Sequence, residues 1–256
     1  PQAIQVMLDP SDCGPATIAM SQDVQGESFD YPEVFFEEKI HQIRRVYPDP
    51  NQIKEAADKL KNSKQPIIIS GGGVLYSEAE QTLSNFAKKH NIPVTSTVMG
   101  IGCMTKDDPY YISAVGALGE GSSNNLSKDT DLALAVGTKL ADFTTGSWAN
   151  FENPNFKLIS VNTARYDTTK HLATPVISDA KVGLLQISEA LGDWRAPDIW
   201  YQRAIKERDE WEAYVAKQSG PTNQEEPSYA HAVGAIYRNS DPVSYTHLTL
   251  PTKKRG

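Results

Sequence analysis

PIIISGGGVLYSEAEQTLSNFAKKHNIP, residues 66–93, reads as a buried strand, a glycine turn, an amphipathic helix and the start of a second strand. Ile67, Ile68 and Ile69 form a β-branched run of the kind a strand carries when both faces of its sheet are covered. Gly71, Gly72 and Gly73 let the backbone turn sharply and approach another group closely. Ser77 and Glu80 have capping-box spacing, and Ala79, Leu83, Phe86 and Ala87 recur at helical spacing. The stretch is one βα unit of a nucleotide-type α/β domain.

Working outward, strands are expected at 66–70, 92–97, 132–136, 158–162 and 175–177. Helices are expected at 78–90, around 123–128 and over 181–191, with Gly192 as a stop. Asp49 and Pro50 supply the N-cap and first position of a further helix in which Ile53, Ala57 and Leu60 share a face. This alternation predicts an α/β doubly wound parallel sheet. A charged helix over 198–217 follows, then a polar linker and a helix over 229–237. Before the central domain, 16–20 is expected as a short buried strand, and Pro32, Pro48 and Pro50 punctuate a linker.

Composition narrows the function. The formal charge of −7 argues against a nucleic-acid partner, and no apolar run is long enough to span a membrane. Cys13 and Cys103 lack metal or redox spacing and read as reduced thiols of a cytoplasmic protein. VSYTHLTLPT, residues 243–252, matches in one frame the translation of a transposase-type sequencing adapter. The stretch 243–256 is therefore expected to be an artefactual tail, and His247, Lys253, Lys254 and Arg255 to carry no function.

Several strings taken together carry a resemblance: GPATIAMSQDV (14–24), MGIG (99–102), DLALAVGTKLADFTTGSW (131–148) and VISDAK (176–181). In this order they resemble the thiamine-diphosphate enzymes of the acetolactate synthase and pyruvate oxidase group. Within that group DPSDCG (9–14), GGGVLYSEAE (71–80), DFTTGSW (142–148) and ALGDWRAP (190–197) are similar to the branch of hydrolases that open cyclic 1,2-diones in myo-inositol breakdown. The resemblance implies the end of a pyrimidine-binding domain at 1–28, a linker at 29–48 and a central domain at 49–193. It further implies a helix and linker at 194–227 and the start of a pyrophosphate-binding domain at 228–242.

For the parent it implies thiamine diphosphate and Mg²⁺ as cofactors and a small cyclic polyol dione as substrate. The expected reaction is C–C cleavage to 5-deoxy-glucuronate by a homodimer or homotetramer. The catalytic glutamate is expected before Pro1 and the metal motif beyond Asp241, so this fragment holds no catalytic residue, no thiamine diphosphate ligand and no metal ligand, and should be inactive. Two alternatives stay open: an acetolactate synthase-like carboligase, and a stand-alone nucleotide-binding module.

Gly71, Gly72, Gly73, Val98, Met99, Gly100, Gly137, Thr138 and Thr145 are the candidates for a vestigial nucleotide groove or the edge of a substrate channel. The glycines read equally as a tight turn without a ligand. Their spacing is not G-x-G-x-x-G and no ribose-binding acid follows, so FAD is not expected. Thr144, Thr145, Gly146 and Trp148 read as a second wall of that groove or as a packed loop anchored by the indole. His171 reads as a solvated or subunit-contact residue, Asp107–Asp108–Pro109 as a turn, Cys103 as a packed thiol, and Asn124–Asn125 as helical positions rather than metal ligands.

Overall fold

The computed structural model describes residues 1–240. The tail reading at 243–256 and the last two residues of the 228–242 segment lie outside them. In chain order the elements are α1 (Gln2–Leu8), α2 (Pro50–Asn62), β1 (Pro66–Ser70), α3 (Gly72–Tyr76), α4 (Glu80–His90), β2 (Val94–Ser96), β3 (Tyr111–Ala114) and α5 (Gly121–Asp129). There follow β4 (Leu132–Val136), α6 (Asp142–Thr145), β5 (Lys157–Asn162), α7 (Arg165–Thr168), β6 (Thr174–Ile177), α8 (Ala180–Leu191), α9 (Asp198–Gln218) and α10 (Tyr229–Asn239). The six strands form one sheet in the order β3-β2-β1-β4-β5-β6, and every pairing is parallel. This is the doubly wound arrangement expected from the alternation of elements, with its topological switch between β1 and β4.

The strand period of two sorts the core into two layers. Ile68, Leu132, Leu134, Ile159, Val161 and Val176 point to the side where α2, α4 and α8 lay down Ala57, Leu60, Leu83, Phe86, Leu184 and Ile187. Ile67, Ile69, Ala133, Ala135 and Leu158 point to the other side, against Leu126 of α5 and Trp200 and Ala204 of α9. Trp200 can be buried because its indole N–H donates to Pro66 O at 2.8 Å. The N-cap of α2 is as expected, Asp49 accepting from Asn51 N at 2.7 Å with Pro50 in the first turn.

Two local expectations fail, and one strand goes unanticipated. The capping box does not form: the glycines open a separate short helix, α3, and Ser77 lies at its carboxyl end. The Ser77 hydroxyl accepts from Ala180 N at 3.3 Å, and Ala79 begins α4 without a side-chain cap. Residues 16–20 form no strand and are largely exposed; an apolar run becomes a strand only by pairing with another, and this one pairs with none of the six. Conversely, β3 was not expected. Its sequence, YISA, has one β-branched residue, and it is held by pairing to β2 and by α9 across it.

The chain enters the domain through a polar clasp. Arg45 donates to Asp179 at 2.8 Å and to Ser77 O at 2.8 Å, while Asp179 caps α8 by accepting from Lys181 N and Val182 N. Asp179 N also donates to Val46 O at 2.9 Å. One carboxylate therefore fixes both a helix start and the approach of residues 45–46.

His90, at the end of α4, is fully buried. Its Nδ1 lies 2.8 Å from Trp194 O and its Nε2 2.8 Å from Ser188 Oγ. A carbonyl can only accept, so Nδ1 carries the proton and Nε2 accepts from the serine. Burial holds the imidazole pKa below its ordinary 6.5, with Lys89 and Arg195 adding to the effect against the bond to Trp194 O. The unfolded chain therefore binds the proton more readily. The contribution is intact above pH 6.5 and is lost as the pH falls from there through the folded pKa. Denaturant titrations of wild type and His90→Gln from pH 8 to pH 5 should show the wild type losing up to about 1.4 kcal/mol per pH unit more than the variant below pH 6.5. Parallel curves would exclude His90 as the titrating group.

Candidate functional site

The carboxyl ends of β1, β2 and β4 bring most of the sequence candidates together. Gly71 N donates to Val136 O and Gly73 N to Gly137 O, both at 2.9 Å. A Cβ on Gly71 would lie 2.4 Å from Gly137 O and 2.6 Å from Thr138 Cβ, and one on Gly73 would lie 2.6 Å from Gly137 Cα. Gly137 itself takes φ +61°, which a side chain would strain. Gly100 sits under the same turn, where a Cβ would meet Ser70 O at 2.2 Å. The close approach expected of these glycines is therefore made to backbone. The α3 amide at Gly73, one of the donors a phosphate would use at such a crevice, is engaged by Gly137 O.

Val98 and Met99 stand at the lip of this junction, Met99 63 % exposed. Met99 O is 3.1 Å from where a Cβ of Gly72 would be. Thr97 caps their turn by accepting from Gly100 N at 3.1 Å. Thr138 is buried, its hydroxyl accepting from Leu140 N and its carbonyl from Asn162 Nδ2, both at 3.2 Å. Thr145 is buried too, but its hydroxyl is taken up within its own turn, donating to Asp142 O and accepting from Trp148 N.

Trp148 packs against Phe151, Phe156 and His171, the His171 ring centroid 4.3 Å away. The turn is thus an indole-anchored loop. Asp108 is a turn residue, accepting from Tyr110 N and Ser84 Oγ. Sequence reasoning missed how firmly the rim after β3 is held. Asn124 of α5 accepts from Gly116 N and donates to Gly116 O, both at 3.0 Å, and Asn150 donates to Asn124 at 3.2 Å. Ala117 N then donates to Phe143 O at 2.7 Å. Only the glycines of 116–121 hinted at a constrained turn there.

No group of three or more His, Cys, Asp or Glu side chains is placed to share a metal ion among the described residues. Shallow depressions of about 410 and 440 Å³ lie at the opposite end of the sheet, the first beside Gln65, Lys128 and Asp129, the second beside Lys54, Asp58 and Lys157. No helix among the described residues is long and apolar enough to cross a membrane.

A parallel six-stranded α/β domain whose switch-point turns are locked together by glycine backbone is the class of protein defined so far. The family model described as thiamine pyrophosphate enzyme, central domain, matches residues 53–187. The chain belongs to that family. A Clostridium tetani protein named 3D-(3,5/4)-trihydroxycyclohexane-1,2-dione hydrolase is 39% identical over 210 residues, 82% of this chain and 33% of the relative. Proteins of the same name from Clostridium perfringens strain 13 and Geobacillus thermodenitrificans are 41% and 38% identical, over 74% and 75% of this chain and 30% of each relative. The chain thus spans about a third of the length of the curated relatives it matches.

Two predictions follow from the packing. Gly73→Ala must push against the backbone of Gly137 and should lower unfolding free energy by about 1–3 kcal/mol. Gly26→Ala, with nothing within 4 Å of its Cβ, should stay within about 0.5 kcal/mol of wild type in the same denaturant titration. The Cys103 thiol, buried and 3.3 Å from Gly71 O, has its pKa pushed by burial up to about 12. Timed alkylation followed by peptide mapping should label exposed Cys13 at once and Cys103 only after denaturant is added.

Proposed function

We propose that this chain is part of a thiamine-diphosphate-dependent hydrolase that opens a cyclic 1,2-dione by C–C cleavage, giving 5-deoxy-glucuronate in myo-inositol catabolism. The carrying observation is the identity of 38–41% to proteins bearing that hydrolase name over most of the chain, combined with membership of the family. Thiamine diphosphate and Mg²⁺ are held by other parts of the parent, a cytoplasmic homodimer or homotetramer. The substrate is a small cyclic polyol dione rather than a nucleic acid or a membrane lipid.

In this reading the central domain is a scaffold with one working edge. Val98, Met99 and Gly100 border the substrate channel in the assembled parent. The junction of Gly71, Gly72, Gly73, Gly137 and Thr138 behind them keeps that edge rigid and binds no nucleotide. The Gly73 N–H to Gly137 O bond supports this, since an amide already paired is not offered to a phosphate. Thr145 contributes to the edge only by stiffening the neighbouring turn.

The parent enzyme, purified with thiamine diphosphate and Mg²⁺, is expected to convert the trihydroxycyclohexane-dione to a product with the mass of 5-deoxy-glucuronate. The same preparation should be inert toward pyruvate alone, and the 256-residue chain inert in both assays. Formation of acetolactate from pyruvate, with no ring opening, would replace this reading by the carboligase. Micromolar binding of FAD or NAD by the chain would reopen the groove.

A further inference from the structure

The segment 191–197 carries the chain from α8, in one core layer, to α9, in the other. Apart from the bonds of its own turns and those that end α8 and start α9, its hydrogen bonds among the described residues all run to 88–91. Ala196 N donates to His90 O at 2.9 Å. Trp194 O accepts from His90 Nδ1 at 2.8 Å, and Ala196 O accepts from Asn91 Nδ2 at 3.1 Å. Arg195 donates to Lys88 O at 3.1 Å and to Lys89 O at 2.9 Å. Asn91, in left-handed backbone at φ +58°, also reaches Asp198 at 2.9 Å. The crossing is therefore a strap fastened at one place, the end of α4.

His90 is the buried part of that fastening. Its ring lies 4.7 Å from Phe86 and 6.4 Å from Trp194, centroid to centroid. Its Nε2 accepts from Ser188 Oγ, and the same hydroxyl takes Lys89 Nζ at 3.3 Å. A second proton on the ring must go to Nε2, which then needs an acceptor. The oxygen in front of it already receives an ammonium group. The charged groups around the ring are Lys61 of α2, bonded to Ala190 O, Lys88 and Lys89 of α4, Glu189 of α8, Asp193 and Arg195 of the strap, and Asp198 of α9. Glu189 and Asp193 are exposed, and Asp198 is engaged by Asn91. No carboxylate pairs with the ring among the described residues. An imidazolium at this position has cations beside it and no counterion.

We propose that His90 is an acid-released latch: once protonated at Nε2 it leaves Trp194 and Ser188, and the strap 191–197 opens while the sheet and both core layers stay folded. Trp200 remains as the pivot, its indole bonded to Pro66 O, so the opening loosens the root of α9 and does not detach the helix. The open form binds the proton at the ordinary imidazole pKa of 6.5, and the closed form only below it, because of burial and then of Lys89 and Arg195. The closed strap is therefore favoured above pH 6.5 and is lost as the pH falls from there through the closed-state pKa. The latch belongs to the fold and stands apart from the reaction of the parent.

Amide hydrogen exchange of the 256-residue chain, corrected for the intrinsic effect of pH on exchange, tests this. Between pH 7.5 and pH 5.5 the protection of the strap should fall severalfold, towards the limit of about tenfold that one proton allows. At pH 5.5, sub-denaturing urea should speed exchange in β1 and β4 and leave the strap almost unmoved, since so short an opening exposes little surface. His90→Gln, neutral throughout, should lose the pH-dependent fall. Lys89→Met removes a neighbouring cation and the competing donor to Ser188 Oγ, so the fall should shrink. Strap protection indifferent to pH overturns the latch, and so does a fall that persists in His90→Gln. Strap exchange that rises with urea in step with β1 and β4 makes the opening global and overturns the local release. If His90→Gln does not fold, Lys89→Met decides, its side chain being exposed: an undiminished fall overturns the proposal.

Discussion

The contact on which the rest of the domain depends is the one between the turns after β1 and β4. In a sheet of this order the chain leaves β1 to one side and β4 to the other, which normally leaves a crevice at the carboxyl edge. Here the crevice is closed by two amide–carbonyl bonds, Gly71 to Val136 and Gly73 to Gly137, at separations that exclude any Cβ. That closure sets the start of α3, and through α3 it sets where Ser77 meets the amide of Ala180. It also sets how the turn of Val98 and Met99 is seated over Gly72. A side chain at Gly71, Gly73 or Gly137 would disturb all of these at once.

What could be read in the sequence follows from how local each determinant is. The run Ile67–Ile68–Ile69 announced a strand buried on both faces because burial leaves no alternation to decode, and every residue of β1 is indeed buried. Asp49-Pro50 announced a helix start because a cap is satisfied within three residues. The Ser77–Glu80 spacing misled because it is equally local: it could not register that Gly72 and Gly73 would open a helix of their own. β3 was invisible for the opposite reason, since its existence is decided by pairing with Val94–Ser96 and by cover from α9, both distant in sequence.

The candidate site divides along the same line. Gly71, Gly72 and Gly73 were legible as positions needing close approach, and they do lie against the backbone of Gly137, Thr138 and Met99. What they approach was not legible, because glycine records only that a side chain is excluded, not whether backbone or ligand excludes it. Thr145 carries no such signal; a threonine that closes its own turn looks in sequence like one that faces a groove. The Asn124 clamp on Gly116 escaped because a helical asparagine acquires meaning only when a turn folded back against its helix presents both its N–H and C=O.

The distribution of charge and apolar surface completes the argument. In this chain the clearest buried titratable groups, His90 and Cys103, are held neutral by burial, which lowers the imidazole pKa and pushes the thiol up to about 12. The acidic residues of 23–39 and the cations at Lys139 and Arg165 stand instead on segments outside the two core layers, beside exposed aromatic and aliphatic side chains. The interior thus keeps His90 and Cys103 neutral and admits one buried carboxylate among the described residues, Asp179, only where Arg45 and the first amides of α8 meet it.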